Sequence, residues 1–168
     1  VTMPRKSRIT VASRVRGTMN DLTIEKLSVK TLGSTSLALN GTVKNLTEPD
    51  HMSLRMQLTR FFTTARDLRT VLLDSLLPES IQIPDSIELK GNFTGLLKAP
   101  TIDTKLITSS GNVTANGKFD FRSMPSYNAS IETKRLHLGK ILKQPETMGT
   151  IDMKATAKGT GIQVDDIR

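Results

Sequence analysis

Residues 87–94 read Ile-Glu-Leu-Lys-Gly-Asn-Phe-Thr, and apolar and polar side chains alternate through most of this stretch. In an extended strand successive side chains point to opposite faces, so Ile87, Leu89 and Phe93 share one face and the charged residues between them share the other. The same alternation recurs in residues 52–59, 112–121 and 150–157. We therefore predict a mainly β protein in which each strand has one apolar and one polar face.

Glycines punctuate these strands at positions 91, 95, 111, 117, 149, 159 and 161. A glycine within a strand is typical of a bulge, a bend or a tight turn. Because a sheet that is bent at intervals curls around one face, we predict an elongated, antiparallel-rich sheet that forms an apolar trough. The strand pattern runs from residue 9 to residue 162, so residues 1–168 are predicted to be a single repetitive β domain, an internal fragment of a larger protein.

The hydrophobic period changes twice along the chain. Apolar side chains recur at three- and four-residue spacing between residues 65 and 76, which predicts an amphipathic helix over 64–77 that ends at Pro78. A shorter helical turn is predicted over 138–144, before Pro145. We expect the first helix to cover an open end or an edge of the sheet, with docking to a membrane surface or a partner as the alternative.

An internal repeat relates residues 37–77 to residues 113–144. In each copy a glycine precedes a proline by eight residues, and a strand and a leucine-bearing helical turn follow the proline. The identity between the copies is low, so coincidence stays open as the alternative. A genuine repeat would indicate an array of stacked strand units.

Composition narrows the classes of partner. The chain carries 24 lysines and arginines against 16 acidic residues, a net charge of +8, and only 4% of its residues are aromatic. The basic residues are spread over the polar faces of the strands without aromatic platforms, which indicates a solvated basic exterior and argues against nucleic acid. An anionic partner such as a lipid headgroup is the alternative reading of this charge.

Catalytic and metal-binding patterns are not apparent in the sequence. The absence of cysteine excludes a disulfide framework and a thiolate metal site. Neither His51 nor His137 has a second ligand at metal spacing, and Gly-Thr-Gly at 159–161 lacks the helix and third glycine of a phosphate-binding loop. We therefore predict that the protein is not an enzyme and uses no metal or cofactor.

Two runs of sequence resemble a known family. Residues 76–91 read LLPESIQIPDSIELKG, and residues 136–142 read LHLGKIL and are followed by the glycine-containing strand GTIDMKATAKGTG at 149–161. Over roughly residues 37–161 the chain resembles the AsmA-like superfamily, and within it the TamB-type proteins of Bacteroidetes-like Gram-negative bacteria. The C-terminal region that is characteristic of these proteins is not identifiable in this sequence.

This resemblance implies a role in outer-membrane biogenesis. Members of the family are anchored in the inner membrane, extend through the periplasm and are implicated in moving phospholipids toward the outer membrane along an apolar β trough. For this chain the resemblance implies lipid acyl chains as cargo, an inner-membrane anchor outside the fragment, and an outer-membrane protein partner. It implies no catalytic residue.

Together with this resemblance, the alternation predicts that one face of the strands lines a lipid groove. The predicted lining residues are Leu54, Met56, Leu58, Ile87, Leu89, Phe93, Phe119, Phe121, Ile131 and Met153. The alternative is a closed β-sandwich or solenoid, a structural or adhesive module of the cell envelope, in which the same side chains pack as a core. The two readings differ in whether protein covers the apolar face.

Overall fold

A computed structural model describes residues 8–31, 33–71 and 80–161, apart from the side chain of Val71. The described residues form nine strands and two short helices. The strands are β1 Thr10–Thr18, β2 Asp21–Thr31, β3 Thr35–Lys44, β4 Ser53–Thr64, β5 Ser86–Leu96, β6 Ala99–Thr108, β7 Gly111–Asp120, β8 Ser126–His137 and β9 Thr150–Thr160. The helices are α1 Ala65–Val71 and α2 Leu138–Ile141.

All nine strands belong to one antiparallel sheet in which spatial order follows chain order from β1 to β9. The sheet is open, so β1 and β9 are its two edges. Each connection joins neighbouring strands, which hairpins and short loops can achieve only between antiparallel partners. The predicted fold class, a mainly β protein built on an antiparallel sheet with two short helices, is confirmed.

The strand register assembles one face of this sheet from apolar side chains, because residues opposite each other on paired strands share a face. One transverse row from β1 to β9 consists of Val11, Val29, Leu37, Phe61, Leu89, Leu106, Val113, Thr133 and Met153. A second row consists of Val15, Ile24, Gly41, Met56, Phe93, Ile102, Gly117, Ala129 and Ala157. We call this side of the sheet the apolar face.

The opposite side, the polar face, is equally continuous. One of its rows consists of Arg16, Thr23, Thr42, Arg55, Thr94, Thr101, Lys118, Asn128 and Lys158. The alternation that is visible within single strands is therefore kept in phase across nine strands. A slip of one residue in any pairing would move the apolar side chains of that strand to the opposite face. In the observed register, each of these three rows stays on one face from β1 to β9.

Irregularities in the pairing fall beside some strand glycines and not beside others: Gly41 and Gly91 each adjoin a register shift. The register shifts occur at Arg14/Val15, Ile24/Leu27, Ala38/Leu39, Leu58/Phe61 and Thr133/Leu136. The pairings of β5 with β6, β6 with β7 and β7 with β8 are regular although they contain Gly91 and Gly117. Gly91 thus lies beside a register shift in its pairing with β4, whereas Gly117 lies in regular pairing on both sides. A Cβ at Gly91 would lie 2.5 Å from the Asp103 carbonyl oxygen on the neighbouring strand.

Both helices lie at the same end of the sheet, which we call the helix end. There α1 follows β4 and α2 follows β8, whereas the opposite end, the turn end, carries the connections β1–β2, β3–β4, β5–β6 and β7–β8. The helix predicted over 64–77 is present as α1, and residues 72–77 lie outside the described residues. A helix thus follows β4 and again β8, although the sequence repeat itself stays a prediction.

A hydrogen-bonded network attaches α1 to the sheet. The Thr35 hydroxyl donates to the Asp67 carboxylate at 2.8 Å and lies 2.8 Å from the Thr63 hydroxyl, and the Ser34 amide donates to the same carboxylate at 3.1 Å. Thr63 is 1% exposed and Asp67 is 8% exposed. The Thr64 hydroxyl accepts a 3.3 Å bond from the Asp67 amide, which caps the first turn of α1.

A second contact joins α2 to the segment that leads into β5. The Gln82 amide, in the segment that leads into β5, donates to the Ile141 carbonyl of α2 at 2.7 Å. This bond links the segment that precedes β5 to the helix that follows β8. The helix end of the sheet between β5 and β8 is therefore crossed by ordered chain.

Candidate functional site

Nine of the ten predicted lining residues lie in strands and on the apolar face. Their faces follow from the pairing, in which Leu54, Met56 and Leu58 of β4 meet Gly95, Phe93 and Gly91 of β5. The nine are Leu54, Met56, Leu58, Ile87, Leu89, Phe93, Phe119, Ile131 and Met153. The alternation in the sequence therefore selected side chains that the register brings onto one surface.

Phe121, the tenth predicted residue, lies one position beyond the end of β7 at Asp120. Its amide donates to the Lys98 carbonyl at 2.7 Å, and its ring stacks on that of Phe119 with centroids 6.1 Å apart. The expectation of a strand position for Phe121 was wrong. The stacked ring, which is 50% exposed, extends the apolar surface past the strand at the turn end.

The apolar face is only partly covered within the described part of the chain. Val43 is the one large aliphatic or aromatic side chain there that is buried, at 7% exposure. Ile131 and Met153, on β8 and the edge strand β9, are 37% and 42% exposed. A core of this kind is thin because each strand offers its apolar side chains to a single open surface.

A cavity of about 320 Å³ lies on the apolar face of β6 to β9. Its lining residues on that face are Ile102, Ala115, Gly117, Phe119, Ala129, Ile131, Ala155 and Ala157. The depression forms because the side chains on three adjacent strands are small. The larger side chains of Ile102, Phe119 and Ile131 border it. The alanines were not among the predicted lining residues, although they occupy the apolar positions of the alternation in β7, β8 and β9.

Two ion pairs hold the loops at the turn end. Lys98, in the β5–β6 turn, contacts Asp50 in the β3–β4 loop, and Arg122 forms a two-pronged contact with the Asp120 carboxylate. The Arg122 amide also donates to Asp120 Oδ1 at 3.0 Å. Side-chain hydrogen bonding from Arg122, with a further backbone bond, lowers the pKa of Asp120 from 3.8 to about 2.

This shifted pKa predicts a pH dependence for the loop after β7. Because the pKa of Asp120 is lower in the folded chain, the contact with Arg122 contributes stability above pH 3.8 and loses it as the pH falls through about 2. We expect Arg122→Gln to raise the pKa of Asp120 toward 3.8, as measured by NMR titration of the Asp120 side-chain carboxyl carbon. Arg55→Gln, which removes the same charge elsewhere on the polar face, should leave that pKa unchanged. An equal shift in both variants would contradict the assignment.

The two histidines do not form a site. His51 contacts Glu48 at 3.3 Å at the turn end, and His137 Nδ1 lies 3.0 Å from the Thr150 hydroxyl at the helix end. The described ranges contain no group of three or more His, Asp or Glu side chains that could hold a metal ion. Within the same ranges, no helix has the length and apolar character needed to cross a membrane.

Comparison of the chain with protein-family models, with curated proteins and with solved structures finds no match. The candidate site therefore rests on the geometry of the sheet: an apolar surface nine strands wide, a cavity near one edge and ordered chain across the helix end.

Proposed function

We propose that the apolar face is a groove for the acyl chains of lipids. The observation that carries the proposal is the set of mainly apolar rows that run from β1 to β9 on a sheet whose described residues leave that surface partly exposed. Globular proteins rarely leave contiguous apolar patches larger than a few hundred Å² exposed, and larger ones mark interaction sites. An extended, mainly apolar surface matches a chain of methylenes better than it matches a compact polar ligand.

The cavity on β6 to β9 supports the same occupant. Its volume of about 320 Å³ lies at the lower end of the range for small-ligand sites, which are also mostly apolar. Each methylene moved from water onto such a surface stabilises the complex by about 0.8 kcal/mol. The side chains of the cavity wall on that face are apolar, so an acyl chain can slide along the cavity, as a conduit requires.

We further propose that this groove is a periplasmic, AsmA-like segment that carries phospholipid between the inner and outer membranes during outer-membrane biogenesis. The sequence resemblance over residues 37–161 supports this role, and the apolar face supplies the physical means. The proposed partners are lipid acyl chains, the inner membrane through an anchor outside this fragment, and an outer-membrane protein.

The groove is tested by two adjacent substitutions on the edge strand β9. Both residues border the cavity, but the register directs the side chain of Ala157 to the apolar face and that of Thr156 to the polar face. Both are exposed, so an aspartate at either position costs little folding energy. We expect Ala157→Asp to reduce phospholipid that co-purifies with the protein about tenfold, because a carboxylate in the cavity would be desolvated by an acyl chain. Thr156→Asp should retain it. Native mass spectrometry with lipid extraction measures both.

Circular dichroism of both variants shows whether the sheet is intact, so a loss of lipid can be separated from a loss of fold. Wild-type protein that carries no lipid and takes up none from added phosphatidylglycerol would refute the groove. Equal lipid binding by the two variants would refute its placement on the β6–β9 cavity.

A further inference from the structure

A second depression lies on the polar face, at the turn end of β6 to β9, and has a volume of about 660 Å³. Each of the four strands contributes two residues of the polar face that flank one residue of the apolar face. The lining residues of the polar face are Ala99, Thr101, Lys118, Asp120, Ser126, Asn128, Lys158 and Thr160. The four intervening residues, Pro100, Phe119, Tyr127 and Gly159, also line the depression.

Two lysines dominate the charge of this depression. Lys118 of β7 and Lys158 of β9 lie directly opposite Asn128 of β8, one on each side. Because neighbouring strands are about 4.8 Å apart, the two lysine backbones are about 10 Å apart, and the flexible side chains can bring both ammonium groups to one ligand. Neither lysine forms an ion pair with any residue that the structure describes.

The nearby carboxylate does not neutralise them. Asp120 is the one acidic residue of the described lining, and its two oxygens are already engaged by the Arg122 side chain and amide. The Asp120–Arg122 pair therefore contributes no net charge, and the two lysines leave the depression with a charge of +2.

Neutral donors surround the lysines. Thr101, Ser126 and Thr160 offer hydroxyls and Asn128 offers an amide, and none of these side chains is hydrogen-bonded to another described residue. Two ammonium groups and several free donors on one concave surface are the complement of a tetrahedral oxyanion, whose oxygens accept several hydrogen bonds.

We propose that this depression, the Lys118–Lys158 pocket, binds a phosphate-bearing anion. Most of the pocket's lining residues belong to the polar face, and Phe119 is the one predicted groove residue among them. The proposal therefore stands whether or not the apolar face carries lipid.

The test is a titration of ¹⁵N-labelled protein with inorganic phosphate, followed by amide NMR shifts at constant ionic strength set with sodium chloride. We expect saturating shifts centred on residues 118, 128 and 158. Replacing both lysines, as Lys118→Gln with Lys158→Gln, should weaken binding about 25-fold, because each exposed charge contributes about fivefold. The matched control is Lys105→Gln with Lys154→Gln, which removes the same charge from other rows of β6 and β9 and should leave the affinity unchanged.

Repeating the titration with glycerophosphoglycerol distinguishes the two sources of such an anion. Saturation by this phosphodiester as well as by phosphate identifies a lipid headgroup as a ligand, and saturation by phosphate alone identifies a free phosphate or a phosphomonoester. Shifts that grow linearly without saturation, or that are equal in the two double variants, would overturn the proposal because they report only general screening of a basic surface.

Discussion

Replacing Gly111 with alanine should lower the free energy of unfolding by about 3 kcal/mol. Gly111 begins β7 with a φ of 127°, a backbone conformation that side-chain-bearing residues rarely adopt. A Cβ at this position would lie 2.5 Å from Leu136 Cα and 2.8 Å from the Arg135 carbonyl carbon of β8. Both contacts are with backbone, so relief requires one strand to move away from the other, which weakens the β7–β8 pairing.

Urea unfolding followed by circular dichroism measures this loss. Gly149→Ala is the matched control, since a Cβ at Gly149 meets no atom within 4 Å and this glycine lacks a positive φ. The control should change stability by less than about 0.5 kcal/mol. Equal stabilities for the two variants would show that the chain tolerates a side chain between β7 and β8.

Replacing Asp67 with alanine should lower the free energy of unfolding by about 2–3 kcal/mol. The substitution removes the acceptor for the Ser34 amide and the Thr35 hydroxyl, and it leaves the Thr35–Thr63 pair without its charged partner. Thr63 is 1% exposed, so water does not readily replace the lost acceptor. The same change removes a carboxylate from the first turn of α1, where negative charge is favoured.

The control for Asp67 is Asp103→Ala on the polar face of β6, because Asp103 is exposed and forms no ion pair with another described residue. The same unfolding measurement should show less than about 0.5 kcal/mol of change there. Hydrogen exchange adds a local test, since loss of the network should increase exchange of the Ser34 amide more than of amides at the turn end. A uniform change along β3 would contradict a local attachment of α1.

The main competitor of the groove is a closed structural or adhesive module, in which another protein layer packs on the apolar face. Both readings need the same alternating strands, and they differ in the occupant of that face. A covering layer would bury the 320 Å³ cavity and exclude lipid, whereas a groove keeps it accessible to acyl chains. The comparison of Ala157→Asp with Thr156→Asp separates the two readings through bound lipid.

Much of the fold was predictable from local chemistry. The alternation of Ile87, Leu89 and Phe93 with polar residues determines which side chains share a face, because the period of a strand is two whatever its neighbours are. The spacing of apolar residues before Pro78 likewise predicts a helix where α1 begins. Phe121 was misplaced by the same reasoning, since alternation continues past Asp120 although strand pairing does not.

By itself, therefore, the sequence determined a mainly β chain, the two chemically distinct faces of its strands and the approximate sites of both helices. Only the tertiary structure decided which strands are neighbours and in what register, and those choices bring distant residues together. Thr35 meets Asp67, the alanines of β7, β8 and β9 meet in one cavity, and Lys118 faces Asn128 and Lys158. The physical reason is that faces depend on each strand alone, whereas contacts between strands depend on pairing between segments that are far apart in the chain.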